Sequence, residues 1–285
     1  MTSVERASEV ARGAEDGVTP RSAWAAELAF AVETAAAAGA VLMDRYERLE
    51  RIDYKSATDV VTEADHLSEE LVIAAIRTRF PGDAILAEES GAHAAGESRP
   101  VNGRTWVIDP LDGTVNYANG LPVFCVSIGF VVDGRPVAGA VLDPTRNETF
   151  AATADGPATL NGRAVHASTK EKLSDAIISL SLAGRSVASR ARAISKEVRA
   201  ARSMGSASLA LAYVGNGRFD AFVQESGMST WDVAAAGLVA ERAGATVTAF
   251  GGSAWYEPGR ATRTVGTIAA PPAFHPRLLA LANTR

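Results

Sequence analysis

The stretch WVIDPLDGTVNY, at residues 106–117, carries the features that decide the fold and the chemistry of this 285-residue chain. It opens as an apolar strand that ends at Asp109, a proline turns the chain, and Asp112 follows three residues later. Gly113 then lets the backbone approach a ligand closely, and Thr114 adds a hydroxyl. If a short helix begins at Thr114, the amides of Gly113 and Thr114 face outward at its positive end, where an anion is stabilised.

Four further carboxylates occupy comparable positions. Glu88 and Glu89 follow an apolar strand that is predicted over residues 84–87, where a lone charge is costly to bury. Asp65 and Asp232 fall in the first turns of two predicted helices. Taken singly, Asp65 and Asp232 have a simpler interpretation, because capping and the helix dipole favour acids at the start of a helix.

Such a group of acids suits magnesium. This ion prefers hard oxygen ligands and keeps several waters, so one or two carboxylates per ion suffice. The candidate ligands for two neighbouring ions are Glu88, Asp109, Asp112 and the carbonyl of Leu111. A pair of ions activates a water and stabilises the leaving oxygen of an in-line displacement.

The amino-acid composition argues against several classes of protein. Apolar residues make up 47% of the chain, which is far above the level of disordered chains and sufficient for a sizeable core. Lys and Arg number 28 against 33 Asp and Glu, so the charge balance does not favour nucleic-acid binding. Four His and one Cys are too few for a zinc ribbon or a disulfide framework. The sequence predicts a globular cytoplasmic protein with no membrane span or membrane partner.

The hydrophobic patterning mixes helices and strands without strict βαβ alternation, which favours a layered α/β or α+β body. Helices are predicted over residues 23–49, 62–80, 188–202, 206–215 and 231–243. The second of these opens with a capping box, and the last ends on Gly244. A hairpin is predicted from residues 124–132 and 137–142, with a turn that includes Asp133 and Gly134.

Four blocks of sequence, taken together, resemble one family. They are DVVTEAD at 59–65, AEES at 87–90, WVIDPLDGTVNY at 106–117 and WDVAAAG at 231–237. Their order closely resembles the inositol monophosphatase family of magnesium-dependent, lithium-sensitive phosphatases. The resemblance implies a five-layered αβαβα sandwich of the inositol monophosphatase and fructose-1,6-bisphosphatase type. It also implies a single catalytic domain at 21–285, which a loose N-terminal leader at 1–20 precedes.

The resemblance also gives roles to the acids. The implied metal ligands, for two to three Mg²⁺ ions per site, are Glu88, Asp109, Asp112, Asp232 and the Leu111 carbonyl. The implied catalytic residues are Asp65, Thr114 and Glu88. Asp65 would orient the Thr114 hydroxyl and, with a metal-bound water, help to form the nucleophile.

Substrate contacts follow from the same resemblance. Phosphate would rest on the amides of Gly113 and Thr114. Hydroxyls of the substrate would meet Asp112, Ala207 and Glu225. Two further residues match supporting positions: Glu89, and Lys55, whose spacing to Asp65 is one residue shorter than in the family.

The implied reaction is Mg²⁺-dependent hydrolysis of a small polyol phosphate, with inositol monophosphate as the first candidate and a homodimer as the expected assembly. Other small phosphates stay open, namely histidinol phosphate, fructose-1,6-bisphosphate, adenosine 3′,5′-bisphosphate and phosphorylated intermediates of specialised metabolism. A non-catalytic, metal-binding member of the family is a remote alternative. The expected partner is a small-molecule phosphate, with no nucleic acid.

A basic segment at 185–202 has two open interpretations. It carries six basic residues against one Glu. It could contact a second phosphate on a larger substrate, or it could be the solvated face of a helix, which is the interpretation that we favour.

Overall fold

The computed structural model describes residues 22–48, 52–56, 59–93, 103–184, 186–260 and 262–284. The leader predicted at 1–20 lies outside these residues. The described helices are α1 (Ala25–Arg45), α2 (Glu63–Arg79), α3 (Thr114–Ala118), α4 (Val187–Ser195), α5 (Ala207–Ala212), α6 (Thr230–Arg242) and α7 (His275–Ala282). Two 3-10 turns, Leu173–Asp175 and Tyr213–Asn216, complete the helical structure of this part of the chain.

The strands form three sheets. They are β1 (Ile52–Ser56), β2 (Asp59–Thr62), β3 (Ala84–Ala87), β4 (Gly91–His93), β5 (Arg104–Asp112), β6 (Cys125–Val132), β7 (Arg135–Asp143), β8 (Glu148–Thr153), β9 (Thr159–Leu160), β10 (Arg163–Ala164), β11 (Ile177–Ser181), β12 (Ala200–Arg202), β13 (Ala221–Met228), β14 (Thr246–Ala249) and β15 (Val265–Ala270). Strands β1 and β2 pair with each other. An eight-stranded sheet has the order β10-β9-β8-β7-β6-β5-β3-β4, and a five-stranded sheet has the order β12-β11-β13-β15-β14.

The two large sheets and the helices stack in five layers. Helices α1 and α2 cover one face of the eight-stranded sheet, and α5 and α6 lie between its other face and the five-stranded sheet. Helices α4 and α7 cover the far side of the five-stranded sheet. Burying an apolar face on each side of each sheet is what holds such layers together. The predicted αβαβα sandwich is therefore confirmed.

Strands β3 and β5 place two acid-bearing segments at the same end of their strands in the eight-stranded sheet. The two strands are parallel, and Ala87 pairs with Ile108. The residues that follow these partners, Glu88 and Asp109, consequently emerge side by side. The pairing of β5 with β6 continues as far as Asp112, with a shift in register between Asp109 and Asp112.

The predicted start of α2 is confirmed. The Thr62 side chain accepts a hydrogen bond from the backbone at the helix start, and the Asp65 side chain accepts one from the Thr62 amide. This capping box satisfies amides that the first helical turn leaves without intrahelical partners. It also fixes the position of Asp65, which is 1% exposed.

Helix α6 approaches the eight-stranded sheet closely because two paired glycines leave room for it. Gly129 on β6 pairs with Gly139 on β7. A Cβ at Gly129 would lie 2.7 Å from the Cβ of Ala234, and one at Gly139 would lie 2.7 Å from the Cα of Ala235. The close approach carries Asp232, in the first turn of α6, to the end of β5.

Some predicted boundaries differ from the structure. The helix predicted over 188–202 ends at Ser195, and residues 200–202 instead form strand β12. The amides of Arg199 and Ala200 donate to the carbonyl of Ala176, which places this segment beside β11. Periodicity could not indicate this switch, because strand pairing with a distant segment decides it.

Helix α1 is long and apolar enough, by length and composition, to cross a membrane. A core helix that packs on a sheet has the same composition. One face of α1 is fully buried in the core that it shares with α2 and the eight-stranded sheet, at Ala31, Ala35, Ala38 and Leu42. These contacts assign α1 to the first layer of the sandwich.

We expect Gly129→Ala to destabilise the protein by about 1–3 kcal/mol, the usual cost of overpacking a tight core contact. The added methyl would lie 2.7 Å from the Ala234 side chain. Chemical denaturation of the purified variant measures the loss. Gly82→Ala is the control, because within the described part of the chain no atom beyond the two chain neighbours lies within 4 Å of a Cβ built at Gly82. Equal losses in the two variants would contradict the packing explanation.

Candidate active site

Three of the predicted acids converge. Asp109, Asp112 and Asp232 each direct one carboxylate oxygen to a common point, and these oxygens lie within 4.8 Å of one another. Asp109 and Asp112 come from the end of β5, and Asp232 comes from the start of α6. Such a spacing is compatible with one or two small cations among the carboxylates.

Burial raises the pKa of each of these acids, and the charges of neighbouring acids add to the rise for Asp109 and Asp232. Burial is the largest cause for Asp109, followed by the charges of Glu88, Asp112 and Asp232. The pKa of Asp232 rises to about 7, first through burial and then through the charge of Asp112. Without a cation among them, these carboxyl groups therefore hold protons that an exposed aspartate would release.

Helix α5 holds Asp112 from the other side of the cavity. The carboxylate of Asp112 accepts hydrogen bonds from the Ser206 hydroxyl at 2.5 Å, from the Ser208 amide at 2.8 Å and from the Ala207 amide at 3.2 Å. These contacts lower its pKa and partly offset the effect of burial, although the net shift is upward. The Ser208 hydroxyl donates to the Asp232 carbonyl at 3.0 Å, so α5 links two of the three acids.

Asp65 and Thr114 form a second polar pair beside the cluster. The Thr114 hydroxyl lies 3.1 Å from Asp65 Oδ1 and 3.0 Å from the Leu111 carbonyl oxygen. Asp65 Oδ2 accepts bonds from both the amide and the hydroxyl of Thr62. Burial raises the pKa of Asp65 to about 6, and these hydrogen bonds oppose the rise.

The predicted helix at Thr114 is present as the five-residue α3, and Gly113 precedes it with a left-handed φ of 96°. A side chain at Gly113 would be strained by this φ. Its Cβ would also lie 2.9 Å from the Val123 carbonyl oxygen. Glycine is thus required at this turn, and the turn lines the cavity described next.

A cavity of about 550 Å³ opens over the acids. Its acidic side contains Glu88, Glu89, Asp109, Asp112 and Asp232, together with Leu111, Gly113 and Thr114. The opposite wall comes from the five-stranded sheet and the segments around it, with Ser179, Ser181, Ser203, Phe222, Gln224 and Arg263. The cavity therefore combines a strongly acidic end with a largely uncharged polar wall.

The structure brings most of the predicted site residues together. Ala207 lines the cavity, as do Glu88 and Glu89. Glu225 does not line it; its carboxylate binds the buried Arg190 at 2.8 and 2.9 Å and accepts the Ala183 amide at 2.7 Å. The side chain of Lys55 lies outside the described residues.

The ion pair with Glu225 also bears on the basic segment at 185–202. Arg190 is 7% exposed and additionally donates to the carbonyls of Ala183 and Ala282. It is thus a buried structural residue, whereas Arg192 and Lys196 of the same segment are exposed. The solvated-face interpretation holds for these exposed residues and is wrong for Arg190.

Sequence reasoning missed several residues that organise the site. Ser68 donates to the Pro110 carbonyl at 2.9 Å, and Glu69 accepts the amides of Glu89 and Ser90. A helical-face argument could have found both, because positions 68 and 69 lie three and four residues after Asp65. No comparable sequence pattern indicated that Ser206 and Ser208 would bind the acids.

Fold and acidic cavity together define a class of layered α/β sandwich proteins whose acidic cluster could hold metal ions. The family model of the inositol monophosphatase family matches residues 24–285, and the chain belongs to that family. The resemblance stated from the four sequence blocks is thereby confirmed.

Relatives of this chain carry two kinds of name. Nus factor SuhB of Pseudomonas aeruginosa is 38% identical over 237 residues, which cover 79% of this chain and 86% of that protein. Inositol monophosphatase 2 of Solanum lycopersicum is 33% identical over 224 residues, covering 76% and 84%. The crystal structure of extragenic suppressor protein suhB from Bartonella henselae has a TM-score of 0.82 at 29% identity and covers 91% of this chain and 99% of that one.

We expect the metal-free protein to lose stability as the pH rises from about 4 to about 7. The pKa values of Asp65 and Asp232 are about 6 and about 7 in the folded state, against about 3.9 for an unperturbed aspartate. The folded chain therefore binds more protons than the unfolded chain in this window, and raising the pH removes that advantage.

Denaturation in EDTA across this pH range measures the effect, and Asp232→Asn should flatten the profile. Asp44→Asn is the control, since the Asp44 side chain is 72% exposed. Parallel profiles for the wild type and Asp232→Asn would contradict the assignment of the pH dependence to this acid.

Proposed function

We propose that the protein is a Mg²⁺-dependent phosphate monoesterase that hydrolyses a small polyol phosphate, with inositol monophosphate as its first candidate substrate. The observation that carries the proposal is the convergence of Asp109, Asp112 and Asp232 beside the hydroxyl of Thr114. Membership of a phosphatase family supports the same reaction class.

The donor set fits magnesium. The converging groups are carboxylates, buried where their charges repel one another, and a hard divalent cation relieves that repulsion. Soft ligands are scarce, since the one Cys of the chain, Cys125, is buried and lies 3.6 Å from Asp112 as a hydrogen-bond donor. The proposed metal ligands are Glu88, Asp109, Asp112, Asp232 and the Leu111 carbonyl.

Side chains and backbone amides of the protein carry out the other parts of the proposed reaction. Asp65 orients the Thr114 hydroxyl, and together they position and deprotonate the attacking water. The amides at the turn of Gly113 and Thr114 receive the phosphate. Bound magnesium would supply Lewis acidity, lowering the pKa of the attacking water and stabilising the charge on the leaving oxygen. Direct attack by water needs no Cys, His or Ser nucleophile, so no phosphoenzyme is expected.

The wall opposite the acids supports a polyol as the leaving group. Ser179, Ser181 and Gln224 offer hydroxyl and amide groups, which hydrogen-bond to sugar or cyclitol hydroxyls. The proposed hydroxyl contacts also include Asp112 and Ala207. A contact with Glu225 would require its carboxylate to be shared with Arg190, or released by it. Histidinol phosphate, fructose-1,6-bisphosphate and adenosine 3′,5′-bisphosphate are the alternative substrates, and a kinetic panel at fixed magnesium discriminates among them.

A second candidate is a role as a Nus factor, with or without turnover. It is supported by the name of relatives that are 37–39% identical to this chain. The net charge of −5 gives no general attraction to nucleic acid, so the first expectation remains a small-molecule partner. Phosphate release from the substrate panel, compared with and without EDTA, separates an active phosphatase from a purely binding protein.

The assembly and the location of the protein are part of the proposal. We expect a cytoplasmic homodimer in which the single domain at 21–285 carries the activity. Light scattering after size-exclusion chromatography gives the mass in solution, and a monomeric mass would contradict the dimer.

We expect Asp109→Asn to lower kcat/KM by roughly 100-fold or more, because loss of even a supporting residue of a metal site typically costs 10–100-fold. Phosphate release over a magnesium titration measures the loss. Asp44→Asn is the exposed control. Turnover of Asp109→Asn near the wild-type level would remove Asp109 from the metal site.

We expect Thr114→Ala to lower kcat by about 10²–10³-fold, the range for losing one positioned polar group in an active site. The fold should persist, because the hydrogen bonds of the Thr114 hydroxyl within the described residues are confined to Asp65 and the Leu111 carbonyl. Thr114→Ser keeps the hydroxyl and is expected to retain most of the activity. Similar rates for Thr114→Ala and Thr114→Ser would exclude the hydroxyl from the mechanism.

A further inference from the structure

A buried carboxylate outside the acid cluster lies one helical turn after Asp65. Glu69 is on helix α2 and is 3% exposed. Residues four apart lie on the same face of a helix. Asp65 uses this face to contact Thr114, whereas Glu69 contacts the turn at 88–90.

Both oxygens of Glu69 accept backbone hydrogen bonds from that turn. Oε2 accepts the Glu89 amide at 2.9 Å, and Oε1 accepts the Ser90 amide at 2.9 Å. The preceding amide, of Glu88, still bonds to Ile108 in the neighbouring strand at 3.2 Å. Glu69 thus supplies the hydrogen-bond acceptors for the backbone amides where strand pairing stops, between the end of β3 and the start of β4.

The turn that Glu69 holds presents acids to the cavity. Glu88 and Glu89 both line it, and the charge of Glu88 contributes to the raised pKa of Asp109. A metal ligand is effective only when its backbone is fixed at the right distance from the other ligands. The position of Glu88 relative to Asp109 therefore depends on how rigidly this turn is held.

We propose that Glu69 is a positioning residue for metal binding: its carboxylate clamps the turn at 88–90 and so places Glu88 against the other acids. The inference rests on the proposed function, because it concerns the same metal site. Ser68, the neighbour of Glu69, donates to the Pro110 carbonyl at 2.9 Å, between Asp109 and Asp112. One turn of α2 thus holds both acid-bearing segments.

Three variants distinguish a positioning role of the Glu69 carboxylate from an effect of its negative charge alone. Glu69→Gln keeps the shape but replaces one acceptor oxygen by a donor, so it can accept only one of the two amides. Glu69→Asp keeps the charge but is one methylene shorter, so it cannot reach both amides without a shift of the turn. Glu70→Gln is the matched control, since Glu70 is the exposed neighbour on the same helix.

The main readout is the rise in Tm when magnesium is titrated into the metal-free protein without substrate. A cation that binds only the folded state raises Tm according to its affinity. We expect the half-saturating magnesium concentration to rise about 10–100-fold in both Glu69→Gln and Glu69→Asp and to stay unchanged in Glu70→Gln. In turnover assays at a temperature well below the Tm of the metal-free variants, where a loss of stability leaves the folded fraction unchanged, the same variants should recover most of their kcat at high magnesium.

Two results of the titration would overturn the proposal. Wild-type magnesium affinity in both Glu69 variants would show that the clamp does not affect the metal site. Wild-type affinity in Glu69→Asp alone would show that Glu69 acts through its charge and not through its reach.

Amide hydrogen exchange on the metal-free wild type tests the clamp without any variant. The amides of Glu89 and Ser90 should exchange slowly if Glu69 holds them, and exchange at the rate of an open loop would overturn the proposal even if Glu69→Gln failed to fold. If magnesium left the Tm of the wild type unchanged while these amides were protected, the proposed metal-dependent function would fail and the clamp itself would stand.

Discussion

Repulsion among buried carboxylates is the constraint on which the rest of this structure depends. Asp109, Asp112 and Asp232 meet at the end of β5 in the eight-stranded sheet, and burial raises the pKa of each. Bringing like charges together in a poorly solvated place is unfavourable, so the surrounding fold must hold them there. Parallel pairing of β3 with β5 and the close approach of α6 to the sheet provide this restraint.

Donors from nearby residues restrain Asp65, Asp109 and Asp232. Asp65 Oδ2 is held by Thr62, Asp109 Oδ1 accepts the Leu111 amide at 3.1 Å, and Asp232 Oδ2 accepts the Ser229 amide at 2.6 Å. Each of these bonds comes from a residue two or three positions away, in a cap or a turn. Local backbone geometry thus fixes these three side chains, and the other oxygen of Asp65 accepts the Thr114 hydroxyl. Preorganisation of this kind is what a metal site requires.

Features of the fold and the site that depend on contacts close in sequence could be predicted, and features that depend on distant contacts could not. The capping box at Thr62 and the helix start at Thr114 are short-range features, and the structure has them where the sequence predicted them, whereas β5 runs past the predicted strand end at Asp109 as far as Asp112. The amides of α5 on Asp112 and the ion pair of Arg190 with Glu225 join residues 35 or more positions apart. No periodicity or spacing encodes such pairs, because the packing of whole layers decides which side chains meet.

The partners of the acids outside the cluster support placing the proposed site at the cluster. Four acids outside it have a cationic partner within the chain: Asp83 with Arg104, Asp143 with Arg146, Asp220 with Lys170, and Glu225 with Arg190, all at 2.8–3.0 Å. Among the described ion pairs, none involves Asp109, Asp112 or Asp232, although the charge of Arg263 lowers the pKa of Asp232 slightly. These four acids therefore have cationic partners and the buried Glu69 has two backbone amides, whereas the cluster is left to be neutralised by protons or by a bound cation. A buried charge that the fold leaves without a cationic partner marks a candidate ligand site, and this is the physical reason for proposing that the chemistry takes place at these three acids.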